Sequence, residues 1–341
     1  MKKILLMLIK IFGAGIVSII VLSILCFGYY FIPVHFENPN NNTDFVWTKN
    51  SIWVKATEGY SYGKFDSQGY NNKEVIDNPD IIILGSSHTI GTQVQQDQTF
   101  ASVLAKKLEG KYTVYNMGMD NHTLYNNSAN LKRNIELYDN SPKYIILETY
   151  NVYLLKEDVD NIVNDTFYKN KSYSNGLAGT LQKIPFFRLM YFQLTHGLSD
   201  KLLNKKVDES YKSSVVNNEF DGIIEEKEWY SRLFSYYRDI EKKYNTKLII
   251  VYHPHLIMNE DGSVTCNVKK SDLEYFKYYA NKYNISFINM ADDFIDMYYN
   301  EYHLPHGFNT GLLGEGHLNK YGHEKVGMAL YKKIIEVESS L

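Results

Sequence analysis

Two stretches far apart in the chain carry side chains suited to nucleophilic catalysis. The first is Leu84-Gly85-Ser86-Ser87-His88-Thr89, at the end of the apolar run DIIILG (80–85). A glycine at the end of a buried strand lets the chain turn sharply, and the serines after it fall at the edge where open α/β sheets bind their ligands. Ser87 also stands where a helix can begin, so backbone N–H groups can face a negative charge formed beside it. The second is GEGHLNKYGHEKVGMALYKKI (314–334), in which His317 sits in a Gly-rich loop ahead of a helix with Val326, Leu330 and Ile334 at helical spacing. A serine hydroxyl is a poor nucleophile at neutral pH. A histidine within reach takes its proton during attack on a carbonyl and returns it to the leaving alkoxide. Taken singly, the serines suit a tight turn capping a helix and the histidine suits a solvated loop. As a pair, converging on one sheet edge, they point to acyl-ester chemistry.

The elements that would position this pair are legible as apolar runs. After DIIILG come YTVYNMG (112–118), YIILETY (144–150), KLIIVYH (247–253) and ISFINM (285–290), each short and continuous as buried parallel strands are. Helical stretches such as Thr99 to Leu108 and Asp272 to Tyr283 lie between several of them, so the alternation predicts a parallel sheet covered on both faces. The spacing breaks after 150. EEKEWYSRLFSYYRDIEKKY (225–244) reads as the ordinary crossover helix, which leaves about 151–222 as an insertion. Its apolar patch IPFFRLMYF (184–192) fits a substrate lid, a membrane-resting surface or plain core packing.

Ahead of the domain, Met1-Lys2-Lys3 is followed by an apolar stretch interrupted once, at Lys10, and Ile11 to Ile32 carries no charge. That length crosses a bilayer. The lysines precede the span, and the next segment has Glu37 and Asp44 but no Lys or Arg before Lys49, so the body is expected outside the cytoplasm. Cys26-Phe27-Gly28-Tyr29-Tyr30 lacks the small residues of a signal cleavage site, which favours an uncleaved anchor. The expected division is an anchor over 1–32, a polar stalk and irregular cover over 33–78, and a domain over 79–341. The chain has 341 residues, a net charge of −3 and no long basic run, so nothing in it resembles a nucleic-acid footprint. Cys26 lies in the apolar stretch and Cys266 in a distant polar loop, so no disulfide between them is expected. The 30 tyrosines suit sugar-facing surfaces but equally reflect compositional bias.

Taken together these blocks resemble the SGNH/GDSL hydrolase superfamily over about 80–338. Gly85-Ser86-Ser87 looks like the first block, with Ser87 as nucleophile. Asn116-Met117-Gly118 looks like the second, and Glu148-Thr149-Tyr150-Asn151 looks like the third. His317-Leu318-Asn319, followed by Gly322-His323, looks like the last, with His317 as base. The resemblance implies a flavodoxin-like three-layer α/β/α fold. It also implies an oxyanion hole made by the Ser87 and Gly118 backbone amides and the Asn151 side chain, each donor worth about 10²–10³ in rate. One departure stands out. The family's acid three residues before the histidine is replaced by Gly314, which leaves Glu315 as the nearest carboxylate, a backbone carbonyl as orienter, or a Ser-His dyad. His88 and His306 are expected at the pocket, and His323 against the last helix. His303, His306 and His317 have irregular spacing with no accompanying Cys or carboxylate pattern, so no metal or other cofactor is expected.

With the anchor, this layout resembles proteins of D-alanyl-lipoteichoic-acid biosynthesis and alginate O-acetylation. It implies an esterase or O-acyltransferase, acting on acetyl esters of an acylated carbohydrate in the cell envelope, with a membrane-bound O-acyltransferase as partner. A lipase or small-ester esterase, and a non-catalytic glycan-binding assembly subunit, are the alternatives. The missing acid at Gly314 is the main support for the last.

Overall fold

The computed structural model describes residues 2–33, 35–37, 45–166, 177–197, 227–309 and 313–339. All five apolar runs form strands of one parallel sheet: β1 (Ile81–Leu84), β2 (Val114–Asn116), β3 (Tyr144–Thr149), β4 (Lys247–Tyr252) and β5 (Ser286–Asn289). Their spatial order is β2-β1-β3-β4-β5, with parallel pairing throughout. This is the doubly wound order in which the chain reverses direction across the sheet between β1 and β3.

Because successive side chains on a strand point to opposite faces, each strand feeds two cores. On one face Ile82, Leu84, Ile145, Leu147 and Ile250 pack with Leu233, Phe234 and Tyr237 of the helix Glu228–Tyr244 and with Phe276 of Lys270–Lys282. On the other, Ile81, Ile83, Ile146 and Val251 pack with Phe100 and Leu104 of the helix Phe100–Lys107, with Phe294 of Ala291–Glu301, and with Val326, Leu330 and Ile334 of Lys320–Ser339. The result is the three-layer α/β/α arrangement implied by the family resemblance. Each fully buried aliphatic side chain contributes about 1.5–3 kcal/mol, so both layers are strongly fixed to the sheet.

The helix Lys2–Tyr29 is apolar, with a mean hydropathy of 2.7 over its best window, and none of that window is buried. The segment after it is more regular than its sequence suggests. Tyr30–Phe31, Ile52–Lys55 and Ser61–Lys64 form a three-stranded antiparallel sheet, and His35–Glu37 pairs with Phe45–Trp47. Strands of two to four residues are too short to show a period of two in sequence. Much of the inserted segment, including 167–176 and 198–226, lies outside the described residues. Within it, the patch at 184–192 forms the helix Pro185–Phe192.

Candidate active site

β1 ends in a turn at Gly85-Ser86 that opens a single helical turn, Ser87–Ile90. Ser86 is its N-cap, accepting the His88 N–H at 3.2 Å, so the capping role expected of a serine here falls to Ser86 and leaves the Ser87 hydroxyl free to face outward. The turn is held from beneath by Glu148 at the end of β3. Glu148 is 0 % exposed, and its Oε2 accepts the Ser86 N–H at 2.6 Å, the Ser86 hydroxyl at 2.8 Å and the Thr89 hydroxyl at 2.8 Å. Its Oε1 accepts a hydrogen bond from His253 Nε2 at 2.6 Å. Burial pushes the Glu148 carboxyl up, but His253 and the hydroxyl and amide donors outweigh it and hold the pKa below the ordinary value.

His317 arrives on the strand Leu313–Leu318. Its Nε2 lies 2.9 Å from the Ser87 hydroxyl, and its Nδ1 lies 2.8 Å from Glu58 Oε1. The carboxylate dictates the tautomer: Nδ1–H donates to Glu58, which leaves Nε2 as the acceptor for the Ser87 hydroxyl. Lys55 Nζ holds the other Glu58 oxygen at 3.1 Å. Burial raises the Glu58 pKa, yet the His317 hydrogen bond and the Lys55 charge prevail and lower it to about 2.

Glu58 therefore corrects the expectation placed on Glu315. Glu315 is exposed, and the ring nitrogen it was expected to hold is taken by a residue 259 positions from His317, on the loop between Ile52–Lys55 and Ser61–Lys64. Gly316 makes the approach possible, because a Cβ there would meet Glu58 Oε1 at 2.6 Å, and its φ is +81°. Gly314, where the family's acid would stand, has φ +84°, a backbone conformation that glycine adopts more readily than any side-chain-bearing residue. The carboxylate beside His317 thus comes from the N-terminal cover rather than from the loop that carries the histidine.

A cleft of about 260 Å³ opens over this row of side chains, lined by Ser87, His317, Gly316, His88, Tyr150, His255, Asn121 and Ser86. It sits at the carboxyl edge of the sheet, over the reversal between β1 and β3. Two residues assigned to the oxyanion hole do not line it. The Gly118 N–H donates to Asn116 Oδ1 at 2.9 Å, and a Cβ on Gly118 would meet the Ile90 nitrogen at 2.5 Å, so this glycine serves the close passage of the β2 loop under the Ser87–Ile90 turn. Asn151 is exposed and builds a local turn, its Oδ1 accepting the Tyr153 N–H at 2.9 Å. The β2 loop reaches the cleft instead through Asn121, whose φ of +59° suits asparagine better than most residues.

Histidines gather beneath the cleft. His88 is among its lining residues, and its Nδ1 accepts the Leu318 N–H at 3.1 Å, which ties the Ser87–Ile90 turn to the strand bearing His317. His306 lies behind the wall rather than in it, 0 % exposed and with its ring 4.2 Å from that of His255. Burial, reinforced by the neighbouring imidazoles, lowers the pKa of His88 and His306 well below the ordinary value and that of His255 to about 4. His303 packs on Tyr321 instead, and His323 accepts the Phe100 N–H at 3.1 Å, bracing the last helix against the helix after β1.

Nitrogens of His88, His253 and His306 lie within 4.8 Å of one another. A tetrahedral metal with bonds of about 2.0–2.1 Å brings its ligand atoms to roughly 3.3 Å. His88 is also committed: with Nδ1 accepting a backbone N–H, the neutral ring carries its proton on Nε2 and has no lone pair to offer a metal. Among the described residues, His253 Nδ1 and both His306 ring nitrogens are buried without a hydrogen-bond partner, but the spacing of the trio is wider than a tetrahedral ligand set.

No family model matches the chain, and no curated protein matches it. Among solved structures, an acetyl xylan esterase, AlAXEase, superposes with a TM-score of 0.37 at 14 % identity, covering 74 % of this chain and 99 % of that one. A lipolytic protein of the G-D-S-L family from Veillonella parvula gives 0.38 at 14 % identity, covering 74 % and 96 %. Est24, a carbohydrate acetylesterase from Sinorhizobium meliloti, gives 0.38 at 13 % identity, covering 75 % and 98 %. Likeness at this level does not reach the chemistry of the site, which the distances around Ser87 carry instead.

Proposed function

We propose that the chain is a serine esterase or O-acyltransferase of SGNH type, in which Ser87, His317 and Glu58 form the catalytic row. The carrying observation is the continuous line from hydroxyl to imidazole to carboxylate, at 2.9 Å and 2.8 Å, opening into a cleft at the ligand-binding edge of the sheet. His317 Nε2 takes the Ser87 proton as the oxygen attacks an ester carbonyl, and Glu58 stabilises the imidazolium that forms. The proton then passes to the departing alkoxide, leaving an acyl-serine. Water resolves that intermediate in hydrolysis and a sugar hydroxyl in transfer. The Ser87 N–H, first in its helical turn, and Asn121 supply the donors that meet the carbonyl oxygen as it becomes an anion.

The presence of Glu58 removes the main support for a non-catalytic assembly subunit, which was the vacancy at Gly314. The small cleft favours a short acyl group such as acetyl over a fatty acyl chain, since its volume is at the lower end of ligand pockets. Tyr150 in the cleft wall is half-exposed, as a sugar-stacking ring would be. We read the substrate as an acylated carbohydrate of the cell envelope and the apolar N-terminal helix as an uncleaved single-pass anchor. Lys2, Lys3 and Lys10 face the cytoplasm and the domain lies outside, within reach of a membrane-bound O-acyltransferase partner. The burial of Tyr30 and Ile32, directly after the helix, supports the anchor, because the body uses residues at the place where a signal sequence would be cut.

Turnover of p-nitrophenyl acetate by the purified chain tests the reading. The unsubstituted chain should release p-nitrophenol, prefer acetate to octanoate, and lose turnover in Ser87→Ala without loss of folding. Equal turnover by Ser87→Ala and the unsubstituted chain would overturn it.

A further inference from the structure

The helix Pro185–Phe192 in the inserted segment takes no part in the catalytic row. It packs against the N-terminal helix and the residues that follow it. Phe192 stacks on Tyr30 with ring centroids 4.3 Å apart, and Arg188 Nε donates to the Ile32 carbonyl at 2.8 Å. Leu189 and Phe192 turn toward the buried cluster of Tyr30, Ile32, Trp47, Trp53, Phe65 and Ile90. Three large apolar side chains of this segment face outward, Met190 at 43 % exposure, Tyr191 at 42 % and Leu194 at 58 %, with Gln193 and Thr195 exposed beside them.

The place of this helix along the anchor follows from length. Lys10 ends the charged part of the N-terminal helix, and from Ile11 to Tyr29 the helix rises about 30 Å, the thickness of a bilayer's hydrocarbon core. The boundary then falls at Phe27, Tyr29, Tyr30 and Phe31, an aromatic group of the kind that marks the membrane–water interface. A helix touching Tyr30 and Ile32 stands at that same height. The Arg188 guanidinium is held inside the protein, by the Ile32 carbonyl through Nε and by Gln182 Oε1 through Nη1, which fixes the helix to the end of the anchor.

We infer that Pro185–Phe192 and the turn after it lie in the headgroup region of the leaflet from which the N-terminal helix emerges, with lipid as the occupant of the face formed by Met190, Tyr191 and Leu194. This rests on the anchored reading proposed above. Ile90, the last residue of the turn that begins at Ser87, belongs to the same buried apolar cluster as Tyr30 and Ile32, so that turn and the end of the N-terminal helix share one packed core.

The test uses the full chain in phosphatidylcholine–phosphatidylglycerol vesicles, with single added tryptophans and lipids brominated at shallow or deep acyl positions. Emission of the unsubstituted chain is subtracted for Trp47, Trp53 and Trp229. Ile20→Trp, in the middle of the apolar helix, should lose emission with deep bromines, and Leu194→Trp with shallow ones. Asp139→Trp, exposed at the opposite edge of the sheet, should lose none. Quenching at Ile20→Trp without any at Leu194→Trp would overturn the interfacial helix while sparing the anchor. No quenching at Ile20→Trp would overturn the anchor and the inference with it, and equal quenching at Leu194→Trp and Asp139→Trp would show general adsorption and overturn the inference. Met190→Trp replaces Leu194→Trp if the latter fails to fold.

Discussion

Ser87 stands at the end of a strand paired on both sides within the central sheet, whereas Glu58 stands on a loop between two strands of a separate three-stranded sheet. The nucleophile turn is tied down by a fully buried carboxylate, Glu148, through three hydrogen bonds, and the same carboxylate is held by His253. Glu58 instead reaches the site from outside, half-buried and held by Lys55 and His317. One half of the proposed catalytic row is thus built by the core and the other by the segment that joins the core to the N-terminal helix. In the proposed reading the core supplies nucleophile and base, and the cover supplies the acid.

This contrast gives graded expectations. Removing the core support should cost the most: Glu148→Ala leaves Ser86, Thr89 and His253 without their common acceptor in a fully buried place, and should destabilise the domain by about 3–5 kcal/mol in denaturant unfolding. A change of less than about 1 kcal/mol would mean that the turn is held by packing alone. Next comes the cleft wall. Asn121→Asp keeps the size and suits the left-handed backbone but sets a negative charge beside the forming oxyanion, so kcat/KM on the acetyl ester should fall by roughly 10²–10³ with folding unchanged. Full activity there would return the oxyanion role to other donors.

The smallest expected effect is on the acid limb of stability. The Glu58 pKa is lowered in the folded chain to about 2, so the stability its ionisation contributes is complete above the ordinary carboxylate value near 4.5 and is lost as pH falls toward 2. Tm measured between pH 5 and pH 2 should therefore decline less steeply in Glu58→Gln than in the unsubstituted chain. Parallel declines would show that Glu58 is not held by His317 and Lys55 in solution.

The parts of this molecule visible in its sequence are those made by local regularity. Five continuous apolar runs announced the sheet because strands buried on both faces need no alternation, and Ser87 and His317 stand out as candidates because each adjoins a regular element. Gly118 and Asn151 were also picked out by type and place, but a glycine chosen for close packing and an asparagine chosen for a turn look the same in sequence as oxyanion donors. Glu58 had no such signal. It lies in KATEGYSYG, where no period shows, and its contact with His317 spans 259 positions. The trace it leaves is Gly316, beside the histidine, whose missing side chain makes room for a carboxylate that the sequence cannot identify.

Kinetics on an acetyl ester, run side by side for Glu58→Gln and Glu315→Gln, test most directly that the cover supplies the acid. With Tm showing both variants folded, Glu58→Gln should lower kcat/KM by more than about tenfold, and by up to the 10⁴ recorded when another serine enzyme loses its triad acid, while Glu315→Gln stays within about twofold of the unsubstituted chain. Full activity in Glu58→Gln together with a large loss in Glu315→Gln would contradict the assignment and return the acid to the loop beside His317.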